Sequence, residues 1–487
     1  MVGESPRASA MRISYRLHTP LALVVPVVVA MATAVAVTRG GTALLALTGV
    51  AALAVVAVAV SLKPEHLFLF WLCVAPFLQD AGTGRLQHLI RIALYSAPPL
   101  LFLVWTLLQR RAVRGSFVDL LPAAWAAYVL GSAFLAGGGV SATQLFGVVV
   151  TGVIVYYFCA FCSLDEGIEL RIARVLLAST AVVSIVVEVG KLAGHGFGYV
   201  ADTSANVERA AGPFGSPAVL GTVVGVGVVL ALAVLVWAGP PSLRRLAYFS
   251  LLVNLPALFL TLTRGPLIAA GAVGLVIVLS RARTRWPGVL AGILVAVFAA
   301  ALWTSITSTA LYKNRLSDQT NVEERVIIDR WSLELAGRRP IFGWGYGSFD
   351  EVKNSANLST GNSSIPFSQA IKYTSHNTYL TILVELGGIG LFLLLAPWIA
   401  IARSSFRLAR SDLPDAWLAV GFLGVLGVWI INAGTFDMRF FAMAWVLPWL
   451  AVGVLRRRTL DAVRQVDPSR ERVTPERARL REALNRT

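Results

Sequence analysis

Long apolar runs recur from one end of this chain to the other. The first extends from Leu21 to Val37, and the last ends near Leu455. A membrane-spanning helix needs about 20 consecutive apolar residues, and in lipid a helix satisfies its own backbone hydrogen bonds. Only 14% of the 487 residues are charged, which is too few to cover a soluble domain of this size. The sequence therefore predicts an all-α, polytopic integral membrane protein.

The breaks between the apolar runs predict about 12 to 14 transmembrane helices. Lysine and arginine fall in alternate loops, as at Lys63, Arg171 and Arg244. Because basic loops stay on the cytoplasmic side, both termini are predicted to be cytoplasmic. The predicted spans lie at roughly 19–38, 42–62, 66–80, 89–108, 117–137, 143–162, 172–193, 217–238, 246–263, 266–280, 287–306, 377–402, 415–433 and 440–455.

The same threading divides the chain into five regions. Residues 1–18 form a cytoplasmic N-terminus, residues 19–306 and 377–455 the transmembrane helices, and residues 456–487 a basic cytoplasmic tail. Residues 307–376 form one large extracytoplasmic loop. Loops of that length are usually functional, so chemistry is expected on the outer side of the membrane.

Two features that suggest other protein classes have simpler explanations. The net charge of +16 resides in short loops and in the tail, with no folded basic domain to bind nucleic acid. Cys159 and Cys162 form a C-x-x-C pair in an apolar run without a second ligand pair, so buried thiols are favoured over a metal or redox site.

Arginines occur in four segments that are predicted to lie outside, close to the membrane. They are Arg209, Arg264, Arg325 with Arg330, and Arg439. Ion pairs with nearby acids are the alternative explanation for Arg325, Arg330 and Arg439, whereas Arg264 has no acidic neighbour in the sequence. Charges at membrane level are costly and usually functional. Several guanidinium groups on one side suit a phosphate or pyrophosphate.

Two further motifs lie in or next to the large loop. Gly343-x-Gly345-x-Gly347 allows the backbone to approach either a ligand or another helix closely. His376-Asn377 stands where the loop re-enters the membrane. An imidazole beside an anion site can accept a proton from a hydroxyl group, although a lone interfacial histidine is often only hydrogen-bonded structure.

Taken together, these stretches resemble the O-antigen ligase and polymerase superfamily, the integral membrane glycosyltransferases of bacterial envelopes. The matching pieces occur in the order expected for that family and span about residues 205 to 400. They are Arg209-Ala-Ala-Gly212-Pro, Thr263-Arg264-Gly265, Arg325 followed by Pro340, Gly343-x-Gly345-x-Gly347-x-Phe349, His376-Asn377-x-Tyr379, and Glu385-x-Gly387.

The resemblance implies transfer of a glycan from undecaprenyl pyrophosphate to an acceptor hydroxyl at the outer face of the bacterial cytoplasmic membrane. By analogy, Arg209, Arg264 and Arg325 would bind the pyrophosphate and His376 would activate the acceptor. Asn377 and the three glycines would support the site. The implied reaction inverts the anomeric carbon and uses no metal or cofactor. The partners would be the lipid-linked donor, a lipid or cell-wall acceptor, and membrane lipids, with no nucleic acid.

Several points stay open at the level of sequence. The tryptophan expected four residues after the loop arginine is Asp329 here, so either Arg325 or Arg330 would bind substrate. Ligase and polymerase differ only in the acceptor, and ligase is slightly favoured. A transporter or flippase would show internal repeats and ionisable residues along a pathway. A structural scaffold for an envelope complex is the remaining alternative.

Overall fold

The structure is a computed structural model. It describes residues 64–78, 101–102, 116–136, 145, 151–162, 164–165, 167–192, 198–202, 207–281, 320–360, 367–370, 375–410 and 415–466. The spans predicted at 19–38, 42–62 and 287–306 lie outside the described residues, as do the N-terminus, the end of the tail, and the span predicted at 89–108 apart from residues 101–102.

Helices dominate the described ranges, which confirms the predicted all-α, polytopic membrane fold. Numbered in chain order within those ranges, the helices are α1 (Pro64–Val74), α2 (Leu121–Ala136), α3 (Thr151–Phe161), α4 (Ile168–Leu192), α5 (Pro217–Val236), α6 (Pro241–Leu260), α7 (Arg264–Leu279), α8 (Thr320–Arg338), α9 (Phe349–Ser355), α10 (Phe367–Ala370), α11 (Thr378–Ala409), α12 (Ala416–Ala433) and α13 (Ala442–Val466).

Six helices within these ranges are long and apolar enough to cross a membrane. They are Phe117–Ala136, Ile168–Leu192, Pro217–Val236, Pro241–Leu260, Thr378–Ala409 and Ala416–Ala433. Shorter apolar helices occur at Pro64–Phe77, Thr151–Phe161 and Arg264–Leu279. Helix α13 continues through the arginines at 456–458, beyond the predicted boundary between membrane and tail.

Tightly packed tryptophans form the centre of the bundle. Trp125 of α2, Trp398 of α11, Trp429 of α12, and Trp445 and Trp449 of α13 are fully buried. Neighbouring rings in this group have centroids 5.1 to 5.7 Å apart. Large aromatic rings contribute much contact area and prefer tilted or edge-to-face contacts, so this group fixes four helices against one another.

We call one end of the bundle the basic end, where α13 finishes with Arg456, Arg457 and Arg458. Arg456 forms an ion pair with the buried Asp119 at 2.5 Å, Arg457 with Glu169 at 3.2 Å, and Arg458 with Asp415 at 3.1 Å. These acids stand at the first turns of helices that start there, or just before them. The buried thiols of Cys159 and Cys162 lie at the same end, where Arg457 donates to the Cys162 carbonyl. Arg456, Arg457 and Arg458, which are predicted to be cytoplasmic, thus lie together at one end of the bundle.

We call the opposite end of the bundle the site end. Four helices start there (α5, α7, α11 and α13), and three finish there (α4, α6 and α12). It carries a feature that the sequence pattern did not indicate, an antiparallel hairpin of β1 (Tyr199–Asp202) and β2 (Val207–Ala210). Beside it, Gly212 to Phe214 form a short 3-10 turn before Pro217 opens α5.

Helix α11 is broken at Gly387, which has φ 65° and ψ −168°. Tyr379 donates to the carbonyl of Ile430, while Trp398 packs on Trp429, the preceding residue of α12. A straight helix would separate positions 379 and 398 by about 28 Å. The break therefore turns the first two turns of α11 back over the site end.

Helix α8 lies in the loop region before α11 and has its own small core. Ile327, Ile328, Trp331 and Leu335 are buried there against Val384 of α11 and against residues of the loop. Glu334, one of the nearby acids that the sequence offers as a partner for Arg330, forms an ion pair with Arg338 at 2.7 Å. The close packing against Val384 fixes α8 on the broken part of α11.

A buried polar network joins α4 and α6 inside the bundle. Asn254 donates to Thr180 (3.2 Å) and to Ser250 (2.8 Å), and it accepts from Ser184 (2.7 Å). Gly227 of α5 lies directly against this network, and a Cβ there would overlap the Asn254 amide and the Thr180 hydroxyl.

We expect Gly227→Ala to destabilise the protein by about 1 to 3 kcal/mol, because overpacking would push apart hydrogen-bonded groups that water cannot reach. The measurement is the thermal unfolding midpoint in detergent. Gly271→Ala in α7 is the matched control, since no atom lies within 4 Å of its added Cβ. Equal midpoints for the two variants would contradict the packing argument.

Candidate functional site

Arg209 holds the connection between α6 and α7 in place. Its Nε donates to the carbonyl of Thr261 (3.2 Å) and its Nη2 to the hydroxyl of Thr263 (2.6 Å). Between these partners, Leu262 has φ 48°, in the left-handed region. That conformation costs a residue with a Cβ about 1 to 2 kcal/mol. The hydrogen bonds of Arg209 therefore stabilise a strained turn that is followed directly by Arg264.

Arg264 is the first residue of α7, and its side chain is exposed. The next residue, Gly265, packs so closely on the end of α12 that a Cβ would lie 2.6 Å from Asn432 Oδ1 and would overlap the hydroxyl of Thr435. The start of a helix presents unpaired amide groups and partial positive charge, both of which favour an anion. Arg264 thus adds a full positive charge to a helix terminus at the edge of α12.

His376 lies next to Phe436, just after the same helix end. Its ring stacks on Phe436 with centroids 6.2 Å apart and planes at 26°. The hydroxyl of Thr378 fixes the backbone around Asp437. It donates to the Phe436 carbonyl (2.9 Å) and accepts from the Met438 amide (3.0 Å). Within the described part of the chain, the buried Nδ1 of His376 has no hydrogen-bond partner.

Asn377 acts as the cap of α11. Its side-chain oxygen accepts from the amides of Tyr379 (3.0 Å) and Leu380 (3.2 Å), which satisfies two of the donors that a helix start leaves unpaired. The cap sets the direction in which α11 begins, and it therefore sets the position of His376 one residue earlier.

Two charged groups act on the imidazole of His376. Burial and the guanidinium of Arg325 lower its pKa below the ordinary value, while the carboxylate of Asp437 opposes them. The imidazole is therefore neutral at pH 7 and able to accept a proton. Arg325 is exposed on α8, and Arg330 lies five residues further on, about 140° around the helix. Of the two arginines that the sequence left open, Arg325 is the one that acts on His376.

The Gly-x-Gly-x-Gly segment packs against the broken helix. Gly343, Gly345 and Gly347 all have positive φ, at 71°, 110° and 82°. The Trp344 amide donates to the Val384 carbonyl (3.0 Å), the Gly345 amide to the Glu385 carbonyl (2.8 Å), and the Gly388 amide to the Pro340 carbonyl (2.8 Å). A Cβ at Gly343 would overlap the backbone of Glu385, and one at Gly345 would overlap Ala136 of α2. Of the two readings of the motif, the observed contact is with another helix.

Sequence reasoning missed a buried cluster next to His376. Arg439, only 2% exposed, binds both Glu385 (2.5 Å) and Asp437 (2.8 Å). The pairing of Arg439 with Asp437 was visible as one alternative in the sequence. Glu385 was not assigned to it, because it stands 54 residues away in an apolar run. Arg439 is thus engaged in structure.

The predicted residues are linked through the end of α12. Arg209 binds Thr263, Gly265 packs on Asn432 and Thr435, Phe436 stacks on His376, and Arg325 acts on His376. Arg209 and Arg264 are therefore linked to this helix end through Thr263 and Gly265, and His376 is linked to it through Phe436. Among the described residues, no group of three or more His, Cys, Asp or Glu side chains is arranged to hold a metal ion.

Comparison with known proteins locates the same region. No curated protein matches the chain. Residues 249–395 match the protein family described as O-Antigen ligase. The matched stretch includes Arg264, Arg325, the glycine-rich segment and His376, whereas Arg209 lies before it and Asp437 lies after it. The predicted resemblance is confirmed over that stretch: residues 249–395 of this multi-pass membrane protein match the O-antigen ligase family.

Proposed function

We propose that this protein is a membrane glycosyltransferase that moves a glycan from undecaprenyl pyrophosphate to an acceptor hydroxyl at the outer face of the bacterial cytoplasmic membrane. One observation carries the proposal. Arg209 and Arg264 belong to the connection whose Gly265 packs on the end of α12, and His376, on which Arg325 acts, stacks on Phe436 just after that helix end, on the side of the bundle away from Arg456 to Arg458.

The arginines supply what the leaving group needs. A pyrophosphate ester is already a good leaving group, so the protein has only to neutralise its charge and hold it in line. Guanidinium groups bind phosphate oxygens through paired N–H donors. Arg264 at the start of α7 contacts the pyrophosphate in this proposal, with Arg325 opposite it and Arg209 holding the turn as well as the anion.

His376 supplies the general base. The acceptor oxygen attacks the anomeric carbon as the bond to the pyrophosphate oxygen breaks, and the hydroxyl proton passes to the imidazole. Undecaprenyl pyrophosphate leaves as the anion, and a single displacement inverts the anomeric carbon. The lowered pKa of His376 keeps the imidazole in the form that accepts a proton.

The acceptor separates ligase from polymerase activity. We propose a ligase, in which the acceptor is a finished lipid or cell-wall glycan. A polymerase would use another growing repeat and give a ladder of products from the donor alone. A lipid-linked donor labelled in the sugar distinguishes the two by product size.

The test is transfer by purified protein in lipid nanodiscs, with a labelled undecaprenyl-pyrophosphate glycan, a pool of acceptors and a chelator. Wild type is expected to transfer. Arg264→Gln is expected to lose about 10- to 100-fold in rate at low donor concentration, the effect of one charged hydrogen-bonding group. Arg245→Gln, an exposed arginine on α6 toward the basic end, is the matched control and should transfer like wild type.

Two outcomes would reject the proposal. Equal loss in both arginine variants would assign the effect to general charge and not to the site. No turnover with any acceptor, together with passage of the labelled lipid across a liposome bilayer, would favour the transporter.

A further inference from the structure

The buried cluster of Glu385, Asp437 and Arg439, which we call the Arg439 cluster, joins three separate parts of the chain. Arg439 Nε and Nη2 bind Asp437 at 3.0 and 2.8 Å, and Nη1 binds Glu385 at 2.5 Å. Glu385 stands on α11 two residues before the break and also accepts from the Phe349 amide at 3.4 Å. Each member is at least 96% buried.

The charges in this cluster do not balance. Among the described residues, the two carboxylates bind a single guanidinium, so these three buried groups together carry one excess negative charge. The Tyr346 ring, 5.4 Å from the Arg439 guanidinium, closes the cluster with a neutral face. Burying an uncompensated charge is expensive, and the cost falls when a cation forms beside it.

The Asp437 end of the Arg439 cluster lies next to His376. Asp437 follows Phe436, on which the His376 ring stacks, and the Thr378 hydroxyl binds both the Phe436 carbonyl and the Met438 amide on either side of Asp437. Among the described residues, Arg325 from α8 and Asp437 from this turn act electrostatically on the imidazole.

We propose that Asp437, fixed by Arg439 and Glu385, is a positioning residue that balances the positive charge on His376 while the imidazole holds the acceptor's proton. This inference rests on the proposed function. The proton moves from the acceptor oxygen to the imidazole and goes no further. When the product leaves, the imidazolium releases the proton to water.

The sign of the effect follows from the charges. A carboxylate favours the protonated imidazole, so removing the charge of Asp437 lowers the pKa of His376. Arg325 disfavours it, so removing that charge raises the pKa. The rate of transfer falls at low pH as the base becomes protonated. Its acidic limb should therefore move to lower pH in Asp437→Asn and to higher pH in Arg325→Gln.

The experiment measures transfer against pH for wild type and both variants. Asp437→Asn keeps an oxygen that accepts from Arg439, and we expect a plateau rate about tenfold lower as well as the shifted limb. Asp437→Glu restores the charge and should restore the position of the limb. A lower plateau with an unmoved limb would show a purely structural role and would overturn the proposal.

A second measurement separates this proposal from the proposed function. Titration of the His376 ring signal by NMR, assigned with His376→Ala, needs no substrate. A lower pKa in Asp437→Asn supports the pairing even where no acceptor gives turnover, and an unchanged pKa overturns it. If Asp437→Asn does not fold, Glu385→Gln takes its place, because it removes one negative charge from the same cluster at a greater distance from His376. An unchanged pKa of His376 in that variant would likewise overturn the proposal.

Discussion

Replacing His376 with alanine is expected to reduce glycan transfer by about 10²- to 10⁴-fold, the usual contribution of a general base. The acceptor hydroxyl is a poor nucleophile until its proton has somewhere to go. The His376 ring is only partly buried and its Nδ1 makes no hydrogen bond within the described residues. Its removal should therefore leave the fold intact and the donor still bound.

The measurement is the initial rate of transfer of labelled glycan, with donor concentration varied. His376→Ala should lower kcat with little change in KM for the donor, whereas Arg264→Gln should raise that KM. His66→Ala is the control, because His66 is an exposed histidine at the start of α1. Full transfer by His376→Ala would leave charge neutralisation as the only contribution of this site.

The pattern of apolar runs predicted most of the membrane-spanning helices. Lipid forces an apolar run into a helix, so the span predicted at 217–238 is observed as Pro217–Val236 and the one at 415–433 as Ala416–Ala433. The hairpin that contains Arg209 was missed, since its strands have only four residues each and lie outside any apolar run. Hydropathy has no signal for such short pairing.

The site was harder to predict than the spans because it depends on contacts between distant parts of the chain. Motif spacing selected Arg209, Arg264, Arg325 and His376, and the structure brings their elements to one helix end. It left open whether the glycines meet a ligand or a helix. Whether the glycines contact a ligand or a helix depends on the break at Gly387. Hydropathy does not detect this break and predicts one continuous span from 377 to 402.

Gly387→Ala is expected to destabilise the protein by about 3 kcal/mol or more. Gly387 has φ 65° and ψ −168°, a conformation that only glycine adopts without strain. A Cβ there would also overlap the Ile341 carbonyl and lie 2.7 Å from the Gly343 amide nitrogen. The carbonyls of Val384 and Glu385 now accept from Trp344 and Gly345, and separating the two backbones would leave these groups unpaired.

Gly337→Ala is the matched control for that substitution. Gly337 lies on α8, and no atom lies within 4 Å of an added Cβ. Alanine in a helix is favoured over glycine by about 0.5 to 1 kcal/mol, so this variant should be slightly more stable than wild type. Thermal unfolding in nanodiscs measures both. The glycine-rich segment 343–347 packs on the backbone of Glu385, which in turn binds Arg439 and thereby Asp437. Gly387→Ala should therefore also reduce the rate of glycan transfer at temperatures below its unfolding midpoint. A stable, active Gly387→Ala would mean that α11 can run straight and that the break does not position His376.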